Sequence, residues 1–68
     1  MSNIHTYTVI YEDDGFTHIK EGCCGGTIKV PKALGFLGSI GTHVDVRSTL
    51  ERGLMHHEVH INGQWVEI

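Results

Sequence analysis

The chain is poor in the features that usually announce an activity, and each absence closes off a class. Its two cysteines are adjacent, Cys23-Cys24, so they cannot bridge distant parts of the chain, and reduced thiols in a cytoplasmic protein are expected. Five Lys and Arg stand against eight Asp and Glu, a formal charge of −3. That balance argues against nucleic acid as a partner, because a nucleic-acid binder needs a basic surplus to displace counterions. The acidity is also too mild and dispersed for a mimic of a phosphate backbone. No apolar run approaches the roughly 20 residues of a membrane-spanning helix, and Met1-Ser2-Asn3-Ile4-His5 has neither the basic start nor the apolar stretch of a secretory signal. There is a single proline, Pro31, and there are no internal repeats. Gly22 to Gly26 and the Gly35, Gly38, Gly41 series lack the Gly-Lys-Ser/Thr of a P-loop and the strand-turn-helix setting of a dinucleotide fingerprint.

What remains is an ordinary globular composition, 40% hydrophobic and 19% charged, not that of a disordered tail. Sixty-eight residues make one small domain, 1–68, with a marginal core that a dimer partner, a metal or a disulfide would help. The final segment, His56-His57-Glu58-Val59-His60-Ile61-Asn62-Gly63-Gln64-Trp65-Val66-Glu67-Ile68, reads as a hairpin. Asn and Gly both tolerate the positive φ of a type I′ turn, and alternating residues flank them. Val59, Ile61, Val66 and Ile68 then share a core face. His56, Glu58, His60, Trp65 and Glu67 share a polar one.

The same reasoning divides the rest of the chain. Residues 5–21 read as an N-terminal hairpin turning at Asp14-Gly15, with Tyr7, Val9, Tyr11, Phe16 and His18 on one face. Residues 22–26 are a Gly/Cys bend, 27–30 a short strand, and 31–41 an apolar connection in which Pro31 opens one or two helical turns. Glycine at 35, 38 and 41 weakens any longer helix by up to about 1 kcal/mol each. Residues 42–68 form a C-terminal meander. With Leu50 to Gly53 as a four-residue loop, Val44 faces Val59, Val46 faces His57 and Thr42 faces Ile61. Alternatively, Ser48-Thr49-Leu50-Glu51 is a capping box that opens a short helix over 48–57. The expected fold is therefore mostly β: antiparallel hairpins in a small open barrel or two packed hairpin sheets, with α+β as the alternative. The expected core is Tyr7, Val9, Tyr11, Phe16, Ile28, Val30, Leu34, Leu37, Val44, Val46, Val59, Ile61, Val66 and Ile68. Phe36, Leu37 and Ile40 could supply an apolar patch for a homo-oligomer, as could strand addition at an edge.

The expected register puts Asp45, Glu58 and Glu67 side by side across three strands, with His43, His60 and Trp65 in the next row and Arg47 and His56 beyond. Like charges in one row destabilise a sheet, so three carboxylates call for a compensating charge: a protonated histidine, Arg47, a metal or a basic partner. Trp65 fits either an interface anchor or a cross-strand partner of His60. Two histidines on one strand face could share zinc or nickel, with His43, His56, His60 and Glu58 as the ligand set. No HExxH motif is present. Cys23-Cys24 suits a small-residue bend; soft ligation with His5 or His18, or a strained vicinal disulfide, are the sharper alternatives. Ser39, Ser48, Thr49, Cys23 and Cys24 are nucleophiles in name, none set in a motif with a base, and a chain this short seldom encloses a reaction centre. No enzyme is expected.

These residues favour a non-catalytic protein-binding module, of the kind that phage and mobile elements use as small inhibitors or adaptors. Asp45, Glu58 and Glu67 would face a basic protein surface, with His60 beside them and Trp65 as anchor. A transition-metal protein and a small-ligand binder with its pocket at an oligomer interface are the alternatives.

Overall fold

A computed structural model describes residues 2–22 and 25–68, Ser2 by its backbone alone; Cys23 and Cys24, and with them every reading of the cysteine pair, lie outside the described residues. The strands are β1 (Ser2–Glu12), β2 (Phe16–Glu21), β3 (Thr27–Pro31), β4 (His43–Glu51), β5 (Leu54–Ile61) and β6 (Gln64–Glu67). They form one antiparallel sheet in the order β3-β2-β1-β4-β5-β6, curled into a half-barrel. The mostly-β expectation holds. The connection after β3 contains one 3₁₀ turn, Lys32–Leu34. Among the described residues no helix is long and apolar enough to cross a membrane.

The sheet is two three-stranded meanders joined through their first strands. β1 pairs with β4 from Ser2↔Thr49 to Thr8↔His43. Beyond that ladder Val9 N donates to Thr42 O at 2.9 Å and Gly41 N donates to Val9 O at 2.8 Å. Alternation then sorts the side chains. Val9, Ile19, Val30, Val46 and Val59 are fully enclosed on the inner face. Tyr7, Leu37, Val44 and Ile61 complete the core, with Ile28, Leu34, Val66 and Ile68 packed around it.

Local chemistry accounts for the turns. Asp13 Oδ1 accepts from Gly15 N at 3.0 Å and from Phe16 N at 2.8 Å, and its Oδ2 accepts from His18 Nε2 at 2.9 Å. A short acceptor side chain bonding to the backbone two residues on is what favours Asp at such a turn. At the last hairpin Asn62 and Gly63 both have positive φ, 52° and 79°, as a type I′ turn requires.

Three expectations are corrected. First, β4 and β5 are strands up to Glu51 and from Leu54, so the helix over 48–57 does not form. The four-residue loop gives way to a two-residue turn, Arg52-Gly53, with φ of 52° and 78°. The pairing is accordingly Val46↔Val59, Arg47↔Glu58 and Ser48↔His57, two residues from the expected register. An even shift keeps each side chain on its face but changes its neighbours.

Second, Tyr11, Phe16 and His18 leave the core face. The Asp14-Gly15 turn forms as expected and Tyr11 pairs with His18, but the register shifts between Val9 and Tyr11. That one-residue bulge at Ile10 keeps Tyr7 and Val9 inside and rotates the far end of the hairpin outward. Tyr11 is 55% exposed and Phe16 36%. Their rings instead meet outer-face partners, Tyr11 against His18 at 5.0 Å and Phe16 beneath Lys29 at 5.1 Å. Third, Ile19 and Thr17 take the vacated core positions and are both buried.

The crossing from β3 to β4 closes one end of the inner face. Gly35 has φ of 140°, and a Cβ there would lie 2.6 Å from Ile61 Cγ2. The backbone therefore packs where a side chain would stand. Gly35→Ala adds this clash to a strained φ and is expected to cost about 1–3 kcal/mol, lowering Tm by at least roughly 5 °C in a domain of this size. Gly15→Ala, with nothing within 4 Å, serves as the unaffected control in the same thermal melt.

The Asp13 turn makes a second prediction. The His18 N–H, then the Phe16 and Gly15 N–H groups, stabilise its carboxylate and hold its pKa at about 2, below the ordinary 3.8. A depressed folded pKa contributes stability above the unfolded value and loses it as pH falls through the folded one. The Tm advantage of the wild type over Asp13→Ala is therefore expected to be constant above about pH 5 and to shrink between about pH 4 and pH 2. An advantage that stays level across that acid window would contradict this role.

Candidate functional site

The outer face of the β4-β5-β6 meander carries the polar side chains that alternation expels from the core. Its centre is Arg47 on β4. Arg47 Nη2 lies 2.8 Å from Glu58 Oε1, and Nε donates to the same oxygen at 2.9 Å. The guanidinium also sits 4.5 Å from the Trp65 ring centroid. One side chain thus ties three neighbouring strands together by an ion pair and a cation–π contact. Trp65 pairs with His60 across the β5-β6 hairpin, their rings 5.0 Å apart, and is half-buried.

Glu58 also stands opposite Glu67, so the row expected to hold three carboxylates runs Arg47–Glu58–Glu67. The two-residue turn brings Arg47 into the place expected for Asp45. Asp45 instead pairs with Thr6, whose hydroxyl donates to it at 3.4 Å. Glu67 Oε2 accepts from His56 Nδ1 at 3.1 Å. His43 reaches Thr8 Oγ1 on β1 at 3.2 Å.

A shallow cavity of about 270 Å³ opens beside this row, lined by Thr49, Glu51, His56, Glu58 and Glu67. Three carboxylates do meet on this surface, but the third is Glu51. Exposed Ile4 beside Arg47 and exposed Leu54 beside Glu51 supply apolar neighbours. Comparison of the chain with known protein families, curated proteins and solved structures finds no match. The assignment therefore rests on geometry.

The proposed metal set does not converge. His56 and Glu58 share the cavity, His60 stacks on Trp65, and His43 belongs to the β1 side. Among the described residues no group of three or more His, Cys, Asp or Glu is placed to hold a metal. His5 and His18, considered as companions of the cysteines, are paired with Glu21 at 2.7 Å and Asp13 at 2.9 Å. Ser48 is hydrogen-bonded to His57 Nδ1 at 3.0 Å, a cross-strand pair created by the same register.

The expected register leaves Glu51 and Thr49 outside the site and sets Arg47 beyond the central rows. No local signal separates the two loop lengths, because Leu54-Met55 and His56-His57 break the alternation just where the register has to be read. The Asn-Gly signature was absent there, and an Arg at positive φ is uncommon.

Trp65 is the only tryptophan, so its fluorescence reports this site alone. Arg47→Met removes both the ion pair and the stacking, and is expected to change Trp65 emission and to lower stability by about 1 kcal/mol. Arg52→Met, in the exposed turn, should leave the emission unchanged. Identical spectra for wild type and Arg47→Met would show that the guanidinium does not cover the indole.

Proposed function

We propose that the protein is a non-catalytic binding module that receives a basic side chain of a protein partner in the outer-face cavity, with Trp65 as the adjoining anchor. The observation that carries this reading is the cavity itself. Glu51, Glu58 and Glu67 line it with Thr49 and His56, and Glu58 is the carboxylate engaged by an internal cation. The recess is concave and acidic, with the Trp65 ring one row away against Arg47, a setting that suits Arg or Lys on a partner surface. Its shallow form accords with recognition of a protruding side chain on a larger surface. Apolar Ile4 and Leu54 beside it would be covered on docking, leaving charge to set orientation and encounter rate.

An NMR titration with short arginine-containing peptides tests the reading directly. Amide shifts are expected to cluster at Thr49, Glu51, His56, Glu58 and Trp65, with weak affinity because one side chain fills the site. Glu51→Lys places a repelling charge at the cavity and should abolish the clustered shifts. Trp65→Ala should weaken binding at least about fivefold, a cost of about 1 kcal/mol. Shifts scattered over the whole acidic surface, or unchanged by Glu51→Lys, would overturn the assignment.

A further inference from the structure

The strand order leaves β3 and β6 at the two edges of the sheet. Their pairings run to β2 and β5, and the backbone hydrogen bonds outside the ladders give neither strand a partner on its outward side among the described residues. Exposed edges are templates for strand addition. Here the two edge strands also differ in charge. Lys29 is the one charged residue of β3 and Glu67 the one charged residue of β6.

The edges match residue by residue. On β3, Val30 is enclosed on the inner face and Ile28 packs beside it, so Lys29 points outward. On β6, Val66 packs inward, as does Ile68 just beyond the strand, while Trp65 and Glu67 point outward. An antiparallel pairing that sets Val30 opposite Val66 also sets Ile28 opposite Ile68, Lys29 opposite Glu67 and Pro31 opposite Trp65. Directly opposite residues share a face, so apolar side chains continue the inner face and opposite charges meet on the outer one. β3 and β6 run in opposite directions within one copy, because five successive antiparallel pairings link them through four intervening strands. A neighbouring copy therefore presents β6 antiparallel to β3 without being inverted.

We propose that the protein self-associates head to tail, with the β3 edge of one copy pairing with the β6 edge of the next through this register. The contact is heterologous, so it closes into a ring or extends as a filament according to the rotation between copies. Four residue pairs make a small interface, below the area of a standard stable complex. Association is accordingly expected in the range of roughly 10 µM to 1 mM, weakening with salt.

Sedimentation of the purified protein across that concentration range, with no other molecule added, tests the proposal. This readout is separate from the peptide titration, so the two readings can fail independently. Lys29→Glu and Glu67→Lys each place like charges opposite one another and should each weaken association at least about tenfold. Mixing the two variants should restore it. The carboxylate introduced on β3 of one variant then meets the ammonium introduced on β6 of the other, while the remaining edges keep their native Lys29–Glu67 match. Melting curves for each variant alone separate a broken contact from a broken fold. Recovery on mixing supports the edge pairing. A wild type that stays monomeric to about 1 mM, or association indifferent to both substitutions, overturns it.

Discussion

The ladder between β1 and β4 holds together two halves that local turns could otherwise build separately. Each half is a meander whose strands follow one another through short connections, but the pairing of Thr8 with His43 must close a loop of more than thirty residues. By chain-closure arguments that costs about 3 kcal/mol of entropy. Full burial of a single valine returns about 1.5–3 kcal/mol, and Tyr7, Val9, Val44 and Val46 are all buried along this seam. The seam therefore outweighs its cost several-fold. It is also the step on which both free edges, the enclosed core and the placement of the outer face depend.

Charge is distributed by the same topology. With β1 and β4 central, Lys29 on β3 and Glu67 on β6 lie at opposite edges of one sheet. In the interior of the acidic half, Arg47 converts an unfavourable row into a connected one by pairing with Glu58 and covering Trp65. Glu51 and Glu67 remain at the margins of that row, where the cavity opens. The row is thereby neutralised at its centre by an ion pair.

The bulge at Ile10 has a comparable reach. One extra residue in β1 keeps Tyr7 and Val9 in the core while allowing the Asp13 turn to close in its own preferred geometry. The aromatic residues beyond it, Tyr11 and Phe16, are thereby spent on the outer face, and Ile19 fills the inner position. Two local preferences, one for the turn and one for the β1-β4 seam, are incompatible in a perfectly regular strand. The bulge reconciles them.

The sequence alone determined the β class, the strand segments to within a few residues, and the identity of the last hairpin, because alternation and Asn62-Gly63 are local signals of period and turn. It also determined which residues of β4, β5 and β6 face outward, since a register error of two leaves the faces unchanged. Tertiary structure alone decided who stands beside whom. Whether Glu58 meets Asp45 or Arg47 turns on two residues of loop length, and nothing local marked Arg52-Gly53 as a tight turn. The inner place of Ile19 and the outward turn of Tyr11 followed from a bulge that exists only because β1 pairs with strands on both sides. The cavity lined by Glu51, Glu58 and Glu67 exists only in that pairing, since side chains distant in sequence become neighbours through register, and register is set by the sheet as a whole.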